Sequence, residues 1–232
     1  MSEAIILAGG LGTRLRSAVP DLPKCMAPVN GRPFIGYVID YFLQKGVSKF
    51  ILSLGYKSEA VIEYIKKDYP VLQVQYAIED EPLGTGGAIK LACTKATEKD
   101  VFVTNGDTFF AVDLKKLLEQ HTHTAAACTL SLKPMHNFDR YGVVELNENQ
   151  SIASFKEKQH YDKGLINGGL YVLKVAAFLS EAMPQKFSFE KSYMEALYLE
   201  RKMFGQVQDA YFIDIGIPQD YLQAQEDFKK IV

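Results

Sequence analysis

Short apolar runs closed by glycine alternate with amphipathic stretches through the first half of the chain. Residues 4–8 (Ala-Ile-Ile-Leu-Ala) are continuously apolar and meet Gly9-Gly10 at once, the pattern of a buried strand that ends in a glycine turn. Phe34, Tyr37, Val38, Tyr41 and Phe42 then recur at helical spacing and predict an amphipathic helix that stops at Gly46. Residues 50–54 read as a second strand ending at Gly55, residues 58–68 as a helix, and 72–78 as a strand with Val74, Tyr76 and Ile78 on one face. Another helix is predicted from about Gly87, and a strand over 101–104. Strands alternating with helical segments of about 10–15 residues form βαβ units, so an α/β fold is expected, with a largely parallel sheet and helices on both faces.

The rhythm changes in the second half. Residues 142–146 and 152–155 flank a polar turn at 147–150 and predict an antiparallel hairpin. Strands at 170–173 and 207–214 and helices at 175–181, 189–201 and 218–229 complete the pattern, giving a mixed sheet. No linker-like tract, internal repeat or low-complexity segment interrupts residues 1–232, which read as a single domain.

Composition narrows the classes of partner. Of 232 residues 47% are hydrophobic, enough for a core that needs no disulfide or metal staple. Lys and Arg number 26 against 28 Asp and Glu, a net charge of −2 without a basic tail, which disfavours a nucleic-acid partner. The longest apolar runs are far short of the roughly 20 residues that cross a bilayer. Met1-Ser2-Glu3 has none of the features of a signal peptide, so no membrane partner and a cytoplasmic location are expected. Cys25, Cys93 and Cys128 are odd in number and widely spaced, and read as reduced thiols.

Several segments could carry chemistry. Residues 7–15 (Leu-Ala-Gly-Gly-Leu-Gly-Thr-Arg-Leu) follow a strand, where successive backbone N–H groups can cradle phosphate oxygens and Arg14 adds a fixed cation. The spacing is neither a dinucleotide fingerprint nor a Walker loop. A second glycine-rich stretch, Leu83-Gly84-Thr85-Gly86-Gly87-Ala88, is expected as a loop between a strand and a helix, and two such loops at one sheet edge fit the crevice where open α/β folds bind ligands. Glu79 could accept from guanine N1–H and N2–H2 or from uracil N3–H, or be a solvated loop carboxylate. Asp107 ends a strand and Asp214 interrupts an apolar one; they could share one Mg2+ or be, respectively, a turn residue and a core salt-bridge partner. Lys24, between Pro23 and Pro28, could flank a polyphosphate together with Arg14. Glu157-Lys158 and Asn167-Gly168-Gly169 suit a hydroxylated substrate or form an ordinary polar surface. His121 and His123 share no helix face and read as surface residues. The absence of HExxH, paired CxxC and GxSxG motifs removes the usual support for zinc hydrolysis and serine acyl transfer.

Taken in order, residues 7–15, Pro23-Lys24, Leu83–87, Asn105-Gly106-Asp107, Glu157-Lys158, Asn167–171 and Asp214–218 resemble the motif set of the sugar-1-phosphate nucleotidyltransferases from end to end. The resemblance implies a single-domain Rossmann-like nucleotide-diphospho-sugar transferase fold, with residues 1–110 serving the nucleotide and 111–232 the sugar. It implies that a sugar 1-phosphate oxygen attacks the α-phosphorus of GTP in line and releases pyrophosphate. Residues 137–142, 186–190 and 211–221 resemble the guanylyltransferases whose acceptor is a heptose 1-phosphate; mannose 1-phosphate, or uridylyl transfer to another sugar, are the alternatives, and a silent nucleotide-sugar sensor is the non-enzymatic one. Carried over by motif, Arg14 and Lys24 serve the triphosphate and Lys158 the sugar phosphate. Leu7, Ala8, Gly9, Gly10, Gly12, Thr13, Glu79, Gly84, Thr85 and Asp107 serve the nucleotide, with Gly10, Glu79 and Gly84 at the base. Gly142, Glu157 and Asn167 face the sugar, Asp107 and Asp214 hold Mg2+, and a homo-oligomer is left open.

Overall fold

In the computed structural model, which describes residues 2–10, 15 and 19–231, the first strand, β1 (Glu3–Leu7), is buried along almost all its length. Ala4 and Ile6 enter one core and Ile5 the other, as a side-chain period of two dictates. β4 (Lys49–Leu54) and β6 (Asp100–Asn105) flank β1 in parallel register. Both split their side chains the same way, Leu52 and Phe102 to the first core, Ile51 and Val103 to the second. Between β1 and β4 lie a 3-10 turn (Lys24–Met26), the short pair β2 (Pro28–Val29) and β3 (Arg32–Pro33), and helix α1 (Phe34–Gln44). Helix α2 (Ser58–Asp68) leads to β5 (Gln73–Ile78), and α3 (Gly84–Cys93) leads back to β6.

The second half adds β7 (Thr108–Phe110), α4 (Leu114–Thr124), β8 (Cys128–Phe138), the hairpin β9 (Val143–Leu146) and β10 (Ile152–Lys156), β11 (Tyr161–Lys174) and α5 (Val175–Leu179). A π-helical segment (Phe189–Glu195), β12 (Met203–Val207), β13 (Phe212–Asp214) and α6 (Pro218–Ile231) follow. Among the described residues the main sheet has seven strands in the order β12-β8-β11-β6-β1-β4-β5, with β11 antiparallel to both its neighbours. The chain steps outward from β1 through β4 to β5 and then returns to β6 on the other side of β1. That reversal opens a crevice beyond the carboxyl ends of β1 and β6, the place where doubly wound sheets take ligands.

The expected mixed, mostly parallel sheet with a helix layer on each face is thus present. In the first core Phe228 of α6 is the hub of an aromatic cluster, its ring 5.7 Å from Phe34, 4.6 Å from Tyr37 and 5.2 Å from Phe109. The second core packs Ile89 and Cys93 of α3 and Phe178 of α5 against Phe189 and Tyr193 of the π-helical segment. All three cysteines are free and buried. No helix among the described residues is long and apolar enough to cross a membrane.

Several details differ from the sequence expectations. The helix predicted from Gly87 begins at Gly84, so the second glycine stretch is a helical first turn rather than a loop. The strand predicted over 207–214 is two strands: β12 joins β8 in the main sheet, whereas β13 leaves it to pair with β7. The helix predicted over 189–201 is π-helical through Glu195. Ile78, at the end of the edge strand β5, is 48% exposed, although Val74 and Tyr76 pack against the first core. His121 is buried, with Nδ1 2.9 Å from Thr129 Oγ1 and Nε2 3.5 Å from Asp100, whereas His123 is exposed as expected.

Candidate active site

The crevice is a cleft of about 710 Å³. Its floor is the end of β1: Leu7, Ala8, Gly9 and Gly10 line it. Ladder bonds extend past the strand ends, Ala8 N–H donating to the Ser53 carbonyl at 2.8 Å and Gly106 N–H to that of Leu7 at 2.8 Å. These bonds hold the chain at Gly9 and at Asp107 against the same sheet edge. Gly9 sits in a crowded place, where a Cβ would stand 3.0 Å from both Glu79 Oε1 and Gly55 N and these neighbours would have to give way by a few tenths of an ångström. Gly12, Thr13 and Arg14 lie outside the described residues.

Glu79 lines the cleft beyond β5. Its Oε2 accepts from Leu83 N–H at 2.8 Å, and burial pushes its carboxyl above the ordinary carboxylate range, opposed by that hydrogen bond. Glu79 is therefore a half-buried carboxylate held at the cleft by one of its oxygens. Cys25 also lines it, but burial, helped by the nearby Asp107 charge, pushes its thiol up to about 12, so it stays protonated and unreactive.

Next to Glu79, Gly84 and Thr85 line the cleft from the first turn of α3. The glycines there answer to a distant segment, residues 185–190, that runs against the helix start. Gly84 has φ +71°, and a Cβ on it would stand 2.6 Å from the Phe187 carbonyl oxygen; a Cβ on Gly86 would overlap the Phe187 ring. Gly86 N–H donates to the Phe187 carbonyl at 3.0 Å and Phe187 N–H to that of Leu83 at 3.0 Å. The Thr85 hydroxyl accepts from Phe189 N–H at 2.9 Å and donates to Glu190 Oε2 at 2.6 Å. The second glycine stretch is thus also the seat of this segment, and Glu190 is brought into the cleft by it.

Asp107 and Asp214, remote in sequence, converge. The antiparallel pair β7–β13 brings Asp214 opposite Thr108. Both carboxylates reach the Lys24 ammonium, Asp214 Oδ1 at 3.2 Å and Asp107 Oδ2 in closer contact. Burial, and then the neighbouring Asp107 charge, raise the Asp214 carboxyl above its ordinary value. Two hard, partly buried carboxylates around one point, left with an excess negative charge by a single lysine, fit a divalent cation whose other ligands are phosphates and water. Among the described residues no cluster of three or more His, Cys, Asp or Glu could hold a metal without such outside ligands.

The residues assigned to the sugar stand apart from this lining. Gly142, Glu157 and Lys158 belong to the hairpin rim, where Lys158 is exposed and Glu157 accepts from Lys191 Nζ at 2.8 Å. Lys191 follows Glu190, a cleft residue, in the sequence. Asn167 sits where β11 shifts register; its amide donates to Tyr171 Oη at 2.9 Å and its Oδ1 accepts from Gly169 N–H at 3.0 Å.

The family model for nucleotidyl transferases matches residues 3–231. The chain belongs to the nucleotidyl transferase family. This nucleotidyltransferase is 49% identical to the D-glycero-alpha-D-manno-heptose 1-phosphate guanylyltransferase of Aneurinibacillus thermoaerophilus, over 99% of this chain and 100% of that protein. It is 45% identical to the enzyme of the same name from Campylobacter jejuni, over 94% and 96%. The crystal structure of HddC from Yersinia pseudotuberculosis superposes with a TM-score of 0.89 at 40% identity, covering 98% of this chain and 100% of that one. The HddC complex with GMP-PN gives 0.87 at 39% identity, with the same coverage.

Sequence reasoning did not assign Glu190, Asn105, Ser53 or Gly216 to the nucleotidyltransferase cleft, all of which line it. Asn105 and Glu190 stand within segments that carried the family resemblance, which was the available signal. Ser53 had none, since its position follows only from the pairing of Leu7 with Ser53 in the sheet.

Proposed function

We propose that this protein transfers GMP from GTP to a sugar 1-phosphate, releasing pyrophosphate, and that the acceptor is D-glycero-alpha-D-manno-heptose 1-phosphate. The observation that carries the reading is the convergence of Asp107 and Asp214 on Lys24 in a cleft at the switch point of the sheet. The names of the two relatives at 49% and 45% identity support GTP and the heptose acceptor.

The chemical problem is to bring two polyanions together for an in-line displacement. Asp107 and Asp214 would hold Mg2+, which when bound neutralises phosphate charge and polarises the reacting phosphoryl group. Lys24, with Arg14 earlier in the sequence, offsets the triphosphate charge, and Lys158 receives the sugar phosphate. No protein nucleophile is required, because positioning alone supplies about 7–11 kcal/mol. Glu79, fixed by Leu83 N–H, accepts from the base, while the absence of side chains at Gly9 and Gly10 lets the nucleotide lie close to the backbone. Gly142, Glu157 and Asn167 face the sugar from the hairpin side. The chain works as one unit, residues 1–110 mainly handling the nucleotide and 111–232 the sugar, with Asp214 and Glu190 reaching across to the nucleotide side.

A matrix of GTP, UTP, CTP, ATP and dTTP against heptose and mannose 1-phosphates, with pyrophosphate release as readout, tests this. Preference for GTP with the heptose is the expected result. Turnover of mannose 1-phosphate alone overturns the acceptor, and nucleotide binding without pyrophosphate release overturns the reaction.

A further inference from the structure

Lys24 is already engaged in the structure, and by the wrong partners for a residue whose expected task is to meet a triphosphate. Its ammonium donates to Asp107 Oδ2 and to Asp214 Oδ1 at 3.2 Å. The lysine side chain is only 11% exposed. The same Asp214 oxygen accepts from Gly216 N–H at 2.8 Å, and a Cβ on Gly216 would stand 2.8 Å from both Asp214 Oδ1 and Lys24 Nζ. The absence of a side chain at 216 therefore makes room for the lysine to sit between the two carboxylates.

This arrangement has a consequence for a cation that arrives alone. It would meet an ammonium at contact distance, and Lys24, the most buried of the three side chains, could yield only by giving up two partly buried carboxylate partners for none, which is costly. When nucleotide phosphates arrive with the cation, Lys24 exchanges a carboxylate for a phosphate oxygen. Both are charge-assisted hydrogen bonds, so little is lost.

We infer that Lys24 is a built-in counter-ion that holds Asp107 and Asp214 together before the reactants bind, keeps a divalent ion from settling there alone, and releases the pair when ion and nucleotide arrive together. The inference rests on the reading of the aspartate pair as the metal site. Lys24 is then a positioning residue for that pair as well as a contact to phosphate, and metal and nucleotide raise each other's affinity by the same factor.

The test is a titration of the full chain with Mn2+, a paramagnetic ion that accepts the same oxygen ligands as Mg2+. Free Mn2+ is read by electron paramagnetic resonance, with and without a non-hydrolysable GTP analogue. Without nucleotide, Lys24→Met is expected to bind Mn2+ about tenfold more tightly than the wild type, an ordinary size for coupling between neighbouring sites. The analogue should then raise Mn2+ affinity by a smaller factor in the variant. The melting temperature of Lys24→Met should also rise more steeply with Mn2+ than that of the wild type. Lys24→Gln serves if Lys24→Met does not fold.

The double variant Lys24→Met with Asp107→Asn separates the two levels of the reading. It is expected to lose the gained affinity. If it binds Mn2+ as tightly as Lys24→Met does, the ion is not at the aspartate pair, and both the metal site and the inference fall. If Asp107→Asn weakens binding as expected but Lys24→Met binds no more tightly than the wild type, the counter-ion role alone falls.

Discussion

Replacing Gly86 with alanine separates two explanations of the second glycine stretch. If the glycines exist only to bring backbone N–H groups to a phosphate, the substitution should weaken nucleotide binding and leave stability nearly intact. The structure predicts otherwise, because the new methyl group would overlap the Phe187 ring, which is only 6% exposed. Overpacking of this kind costs about 1–3 kcal/mol. Displacing Phe187 also endangers its backbone exchange with Gly86 and Leu83, at about 1 kcal/mol for each hydrogen bond lost. With one of these two bonds lost, the expected total is about 2–4 kcal/mol, read as a lower urea midpoint with an unchanged slope. Nucleotide affinity should fall too, since Thr85 and Glu190 are tied to the same segment. Combining Gly86→Ala with Phe187→Leu, which trims the ring, should cost less than the two single changes added together. A Gly86→Ala protein as stable as the wild type, with only nucleotide binding impaired, would refute the packing explanation.

Two further outcomes follow from the cores. Phe228→Ala removes the hub ring of the first core, away from the cleft, and is expected to cost about 3–5 kcal/mol in urea denaturation while leaving turnover unchanged at temperatures where the variant is folded; a loss below 1 kcal/mol would contradict that role. His121 is held neutral in the fold, its pKa lowered by burial against the pull of Asp100. As pH falls below about 6.5 the unfolded chain takes up a proton that the folded one does not, so wild-type stability declines. His121→Gln has no such proton, and the stability gap between wild type and variant should narrow from pH 7.5 to 5.5; a widening gap would show that the folded state binds the proton more tightly.

The alternation of strands and helices was legible because each of β1, β4 and β6 is a short apolar run stopped by a turn, and the amphipathic helices carry their period openly. The strand β8 was not legible, for a physical reason. Its alternate positions Thr129 and Ser131 look like a solvated face, yet both are fully buried, with Ser131 donating to the Leu170 carbonyl at 2.7 Å and Thr129 meeting His121. The helix before it did leave a signal in Asp113, which caps α4 by accepting from Lys115 and Lys116 N–H groups. Leu114, Leu117 and His121 then follow on one buried face. At the site, glycines and carboxylates announced themselves, but what they serve depends on long-range approach. No local pattern could tell that Phe187 would press on Gly86, or that Lys24 would lie between two aspartates more than eighty residues beyond it.

The central claim is that Asp107 and Asp214 act as one unit in pyrophosphate release. Measuring kcat/KM for Asp107→Asn, Asp214→Asn and the double variant, with folding checked by circular dichroism, tests it most directly. Each single change is expected to cost about a hundredfold or more, and the double variant little beyond the worse of the two. Losses that simply multiply, or a single variant with unimpaired turnover, would mean that the two carboxylates do not share a function.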